Sequence, residues 1–176
     1  MHDTETRSAY PFLDLLEAEA DALRSEALAV EAASWAPMHG YQVGCVGFVL
    51  HTGRFARDFP DADLAANRAR CPRADALLSR IGGIELAGFL CLTPGSLMHP
   101  HTDPRDDDLV RCHLGLQLTE EEQAWWPLGT ARLMDIRQTH WARNAGAYPR
   151  ITFVIDVRMP FVVADGAFGA WRPGAP

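Results

Sequence analysis

The sequence predicts a mainly β fold, with one or two helices ahead of a β-rich core of small-barrel or jelly-roll type. Three observations carry this expectation. From Ile84 onward, short apolar runs alternate with turn signals at fairly regular intervals, which is the pattern of short strands. The longest helical spacing lies in the first fifth of the chain, before Trp35. At 176 residues the chain has the length of one domain, enough to bury a core and keep an internal pocket. The expected organisation is one domain over 1–176: a helical and mixed part at 11–83, a β core at 84–163 and a tail at 164–176. The tail ends in Gly166 to Pro176, rich in Gly, Pro and Ala.

Taken in order, residues 11–34 read as a helix. Pro11 suits a first turn, and Phe12, Leu15, Leu16, Leu23, Ala27 and Val30 mostly keep helical spacing between acidic residues. Trp35-Ala36-Pro37 ends it. Residues 41–51 are rich in β-formers and read as a strand. The charged, turn-rich stretch 53–72 reads as a loop. Pro72 to Ile81 reads as a second, short helix closed by Gly82-Gly83. The strands of the core are expected at Glu85–Leu92, Val110–Leu118, Ala131–Ile136, Ile151–Val157 and Phe161–Val163.

Composition limits the function classes. With 48% hydrophobic and 22% charged residues the chain reads as an ordinary soluble globular protein. Its formal charge of −7 argues against nucleic acid or anionic membrane as partner, since both select basic patches. No secretory signal or apolar span is visible, and Cys45, Cys71, Cys91 and Cys112 form no C-x-x-C pair. Reduced structural thiols in a cytoplasmic protein are the expectation.

The densest chemical cluster is His99-Pro100-His101-Thr102-Asp103. Extended backbone puts residues two apart on one face, so His101 and Asp103 can point into one cavity. An imidazole and a carboxylate side by side are two thirds of a facial triad, which leaves positions on iron open for other ligands. The third ligand is then a histidine from a distant strand, and His140, 39 residues downstream of His101, is the best placed. Arg150 stands at the head of the apolar run Ile151-Thr152-Phe153-Val154-Ile155. Its rigid fork suits the far carboxylate of a dicarboxylate cosubstrate. His-x-Asp alone is a weak signal; the downstream His140 and Arg150 strengthen it.

The stretch from Pro94 to Pro160 resembles the aspartyl/asparaginyl β-hydroxylases. It matches at Pro94-Gly95, His101-Thr102-Asp103-Pro104, Arg111-Cys112-His113-Leu114-Gly115-Leu116, His140, and Arg150 leading into Phe153-Val154-Ile155-Asp156-Val157. The resemblance implies a double-stranded β-helix, a cupin-like jelly roll, with the N-terminal helices packed outside. It also implies Fe(II), with 2-oxoglutarate and O₂ as cosubstrates. His101 and His140 would be metal ligands, joined by Asp103; Arg150 would bind the far carboxylate of 2-oxoglutarate. Arg111 and His113 would line the cosubstrate and substrate pocket. Animal members have Gly where this chain has Asp103, so Asp103 places the chain with the bacterial, three-ligand type. Leu90 departs from the pattern, standing where a hydroxyl that helps hold 2-oxoglutarate is expected, and the step from His101 to Arg111 is one residue longer.

The activity implied is hydroxylation of an unactivated C–H in a free amino acid, or in an aspartyl or asparaginyl residue of a peptide; the short chain tilts this toward a small molecule. Two other classes stay open: a cupin-type metalloenzyme using no 2-oxoglutarate, with His99, His101 and His140 as ligands, and a non-catalytic barrel that binds a small ligand or a partner protein. His99 is otherwise read as an outer or exposed residue, and His113 as either a core or a pocket histidine. His2, His39 and His51 carry no constellation. Asp106-Asp107-Asp108 reads as a solvated acidic loop, and Trp125-Trp126 as packing on the barrel, with a hydrophobic edge over the pocket as the alternative. Arg132, Arg137 and Arg143 are equal candidates for a substrate carboxylate.

Overall fold

A single long strand organises the molecule. In the computed structural model, which describes residues 4–38, 42–103 and 109–158, β3 runs from Ile84 to His101. Around it lie β1 (Ala36–Pro37), β2 (Gln42–His51), β4 (Leu109–Gln117), β5 (Ala131–Met134), β6 (His140–Arg143) and β7 (Arg150–Arg158). The sheet order is β1-β2-β3-β7-β4-β5, with β6 on β3 off this path, and every pairing is antiparallel. The first half of β3, Ile84–Leu92, pairs with β7. Its second half, Leu97–His101, pairs with β6. The mainly β, jelly-roll expectation with helices packed outside matches this architecture.

The change of partner along β3 needs a bend, and the sequence supplies it. On β2 only Gly44 stands opposite the four residues 93–96 of β3, because Cys45 pairs with Leu92 and Val43 with Leu97. Gly44 and Gly95 both take positive φ, 69° and 79°, which glycine adopts without steric cost. Thr93 and Ser96 hydroxyls donate to the Gly44 carbonyl at 3.2 and 3.0 Å. Buried Asn144 pins the bend from the far side. Its side-chain Nδ2 donates to the Leu92 and Tyr148 carbonyls at 2.8 Å each, and its Oδ1 accepts from Gly146 N at 3.0 Å. Asn144→Ala is expected to destabilise by about 2–4 kcal/mol, because each buried partner left unpaired costs roughly 1–3 kcal/mol. Urea unfolding would read this as a lower midpoint at unchanged slope.

The helices are α1 (Thr4–Ala9), α2 (Phe12–Ala18), α3 (Ala20–Ala29), α4 (Leu64–Arg70), α5 (Pro72–Leu78) and α6 (Glu120–Gln123). The single helix expected over 11–34 is thus two helices and a 3₁₀ turn at Ala32–Ser34. The break falls at Glu19, with φ −100° and ψ 4°, whose carboxylate takes Arg73 Nη2 at 2.5 Å. The stretch expected as loop contains α4. Asp63 caps it by accepting from Ala66 N at 3.0 Å, and Asn67 and Arg68 tie it to the Val49 and Leu50 carbonyls of β2. The Asp106–Asp108 loop, His2, His39, Tyr41, Pro104, the Phe161–Val163 strand and the tail at 164–176 lie outside the described residues.

Strand alternation divides the sheet into two faces with different work. On β7, Ile151, Phe153, Ile155 and Val157 are buried in the main core, where Phe153 meets Phe89 edge-on at 5.2 Å. On β4 the same face carries Val110, Cys112, Leu114 and Leu116. Leu13, Leu16 and Leu23 of α2 and α3 and Leu77 of α5 complete this dry layer. The dry core therefore sits between helices and sheet. The other face of the same strands carries Arg111, His113, Arg132, Arg150, Thr152 and Asp156, and it turns inward to a cavity. All four cysteines are buried and free. Burial pushes the Cys45 thiol up to about 12 and Cys71 to about 11, so both stay protonated and inert. No helix among the described residues is long and apolar enough to cross a membrane.

Candidate metal centre and adjoining cavity

His101 and His140 meet because they are register partners on antiparallel β3 and β6. Their rings lie 4.2 Å apart, centroid to centroid, at 53°. Two residues on from His101, past the end of β3, Asp103 N donates to the Ile136 carbonyl at 2.9 Å. That hydrogen bond turns Asp103 toward the same point. Ligand atoms of His101, Asp103 and His140 all lie within 4.8 Å of one another. His99, the alternative ligand, is exposed and stands outside this group among the described residues.

The backbone sets the histidine tautomers. His101 Nδ1 lies 2.7 Å from the His99 carbonyl, and His140 Nδ1 lies 3.0 Å from the Gln138 carbonyl. A carbonyl only accepts, so each Nδ1 carries the proton and each Nε2 keeps its lone pair for a metal. Burial, foremost, holds the His140 pKa below its ordinary value of 6.5, which keeps the ring neutral as a ligand must be. Asp103 Oδ1 sits 3.6 Å from His101 Nε2. Two imidazoles and one carboxylate facing a common point are the donor set of a facial triad.

Arg111 reaches the centre from β4. Its Nε and Nη2 hold both oxygens of Asp156 at 2.7 and 2.8 Å, and its Nη1 donates to Asp103 Oδ2 at 2.5 Å. Burial works to lower the Arg111 pKa, but the two carboxylates outweigh it and hold the guanidinium charged.

Next to the triad, a narrow cavity is lined by Leu90, His113, Trp126, Arg132, His140 and Arg150, among others. Arg150 is buried at the head of β7. Its Nε donates to Glu122 Oε1 at 2.8 Å, and its guanidinium carbon stands 5.6 Å from the Trp126 ring centre. Glu122 was not singled out from the sequence, though Thr119-x-x-Glu122 has the spacing of a capping box and forms one at α6. Of the three arginines left undecided, only Arg132 lines this cavity. Arg137 pairs with Asp135 at 2.8 Å and Arg143 with Glu121 at 3.0 Å, both on the surface. Arg132 stacks 5.1 Å over Trp125. Trp126 packs as expected, almost fully buried with its Nε1 donating to the Thr130 carbonyl at 2.9 Å, and it also walls the cavity.

His113 is the register partner of Arg132. Its Nδ1 lies 3.2 Å from Thr152 Oγ1, and its Nε2 is buried with no partner among the described residues. Burial, then Arg111, Arg150 and His140, hold its pKa well below 6.5. An unfolded chain therefore takes up a proton below about pH 6.5 that the folded ring refuses. Stability is expected to fall as pH drops from 7 toward 5, and His113→Gln to flatten that fall in thermal unfolding. A slope unchanged by the substitution would contradict this.

A larger cavity of about 810 Å³ adjoins, sharing Leu90, His113 and His140 and taking in His101, Asp103 and Arg111 before reaching the segment around Phe59 and Asp61. The triad thus stands between a narrow, cation-lined recess and a roomier space.

A family model described as aspartyl/asparaginyl beta-hydroxylase matches residues 17–160. Among solved structures, the chain is similar to a Pseudomonas putida prolyl-4-hydroxylase, with 18% identity, 83% of this chain and 87% of that one covered, and a TM-score of 0.41. It is also similar to an oxidoreductase of the 2OG-Fe(II) oxygenase family from Burkholderia pseudomallei, with 14% identity, coverage of 81% and 77%, and a TM-score of 0.43. A cupin domain of an XRE family transcriptional regulator from Enterobacter cloacae matches 41% of this chain and 79% of its own, at 15% identity and a TM-score of 0.32. No curated protein sequence matches the chain.

Proposed function

The chain belongs to the aspartyl/asparaginyl β-hydroxylase family, and on that footing we propose that it is an Fe(II)- and 2-oxoglutarate-dependent dioxygenase. The reaction is hydroxylation of an unactivated C–H in a free amino acid, or in an aspartyl or asparaginyl residue. The observation that carries this reading is the convergence of His101, Asp103 and His140 within 4.8 Å, with both imidazole Nδ1 atoms committed to backbone carbonyls. That donor set fits Fe(II) and leaves one side of the ion open.

The narrow cavity fits the cosubstrate. His113 Nε2 is a buried polar atom lacking a partner among the described residues, and such a group calls for one. Arg150 spends its Nε on Glu122, while its terminal nitrogens have no protein acceptor among the described residues and are the fork for the far carboxylate of 2-oxoglutarate. Fe(II), when bound with 2-oxoglutarate and O₂, supplies an oxidant able to hydroxylate a C–H, with succinate and CO₂ as coproducts. The chain's own residues orient and enclose: His101, Asp103 and His140 would fix the ion on one side, Arg150 and His113 would fix the dicarboxylate, and Leu90, Trp126 and Met134 give that recess apolar walls that exclude bulk water.

The substrate enters by the larger cavity, whose size suits an amino acid or one side chain of a peptide. A small-molecule partner, rather than nucleic acid or membrane, agrees with the net charge of −7, and the four buried, reduced thiols suit a cytoplasmic setting. The test is a screen of amino acids for substrate-stimulated succinate release with Fe(II) and ascorbate. The reading expects at least one amino acid or aspartyl peptide to raise succinate above the uncoupled level, with hydroxylated product in equal amount. Succinate formation that is absent with and without every substrate would reject it.

A further inference from the structure

We propose that Arg111 is a positioning residue for the metal centre: anchored on Asp156, it holds Asp103 so that one carboxylate oxygen, Oδ1, is presented to the ion. The inference rests on the iron reading of the triad and assigns Arg111 a different role from the cosubstrate contact that family resemblance implies.

The anchor is stiff. Arg111 and Asp156 are register partners on antiparallel β4 and β7, and both Asp156 oxygens are taken by Nε and Nη2 at 2.7 and 2.8 Å. Asp156 is fully buried, and a two-pronged pair of this kind fixes the guanidinium plane. The remaining nitrogen, Nη1, then has one direction to point, and it meets Asp103 Oδ2 at 2.5 Å.

Asp103 is held at two places, its N–H on the Ile136 carbonyl at 2.9 Å and its Oδ2 on Arg111. What remains is Oδ1, turned toward His101 Nε2 at 3.6 Å. A carboxylate so fixed is a one-oxygen ligand, which conserves open positions on the metal. Without the clamp, the Asp103 side chain, which lines the larger cavity, is free to rotate away or to offer both oxygens. Three of the five Arg111 N–H groups are engaged with carboxylates of the chain, and the Nε–Nη2 edge that would grip a dicarboxylate in two-pronged fashion is taken by Asp156.

The experiment uses Co(II) as an anaerobic, visible stand-in for Fe(II). In full-length protein, Arg111→Met is expected to weaken Co(II) binding about 10- to 100-fold, the effect typical of losing an outer partner of a ligand, and to change the Co(II) absorption bands. At saturating Co(II), the 2-oxoglutarate dissociation constant is expected to stay within about threefold of wild type, as for sites that act independently. In an Asp103→Ala background the same substitution is expected to change Co(II) affinity by less than about twofold, because the two act through one contact.

Arg111→Met that keeps wild-type Co(II) affinity and instead raises the 2-oxoglutarate constant would overturn the proposal and make Arg111 a cosubstrate ligand. If orphaning buried Asp156 prevents folding, Arg111→Met with Asp156→Asn carries the same comparison and the same expected results. Wild-type protein that binds no Co(II) would overturn this inference together with the iron reading. Binding by wild type with no loss in the variant would overturn the inference alone.

Discussion

His140→Ala is expected to abolish substrate-dependent succinate release while leaving the fold intact. The residue is buried on the four-residue strand β6, and its carbonyl-held tautomer offers one lone pair to the centre. Replacing it leaves one imidazole and one carboxylate, too few to hold the ion in a fixed orientation. Losing a direct ligand is expected to exceed the roughly 10- to 100-fold cost of losing an outer partner. Circular dichroism should stay at wild type, because β6 keeps its pairing to β3 through backbone hydrogen bonds. Turnover retained within a few-fold of wild type would remove His140 from the centre.

Arg150→Lys is expected to raise the KM for 2-oxoglutarate about 10- to 100-fold, since charge-assisted hydrogen bonds are worth roughly 1.5–3 kcal/mol and each 1.4 kcal/mol is tenfold. Lysine keeps the positive charge beside Glu122 but loses the fork, so the loss isolates geometry from charge. Turnover at saturating 2-oxoglutarate is expected to fall much less than KM rises, because Arg150 lines the recess and the three ligands lie outside its contacts. Steady-state kinetics with 2-oxoglutarate as the varied substrate separates the two effects. An unchanged KM would place the far carboxylate elsewhere, with Arg132 the next cation on the same wall.

The sequence made some of this legible and hid the rest for physical reasons. The triad could be read because a period of two along extended chain brings His101 and Asp103 to one face, and His140 lay at a workable distance downstream. The β core was visible because turn residues punctuate its apolar runs. Two helices were harder. Glu19 interrupts a continuous helical period with a backbone change that a tertiary contact to Arg73 accompanies. Helix α4 hid behind a charged flank, although Asp63 before Leu64-Ala65-Ala66 was a capping signal.

The ion-pair network was not legible. Arg111 and Asp156 are 45 residues apart, and their meeting depends on which strands pair and in what register. Alternation does show that Arg150, Thr152, Val154 and Asp156 share a face of β7, as do Arg111 and His113 of β4. What it lacks is the β4–β7 pairing that joins the two faces. For the same reason Arg132, Arg137 and Arg143 were equivalent as letters and distinct once β5 was placed beside β4.

The central claim is that His101, Asp103 and His140 together hold one catalytic iron. Anaerobic titration of Fe(II) into metal-stripped protein, with bound iron counted per chain for wild type and His140→Ala, tests it most directly. The account predicts one tightly bound ion per wild-type chain and none at the same free concentration in the variant. Equal iron in both proteins, or none in the wild type, would contradict it.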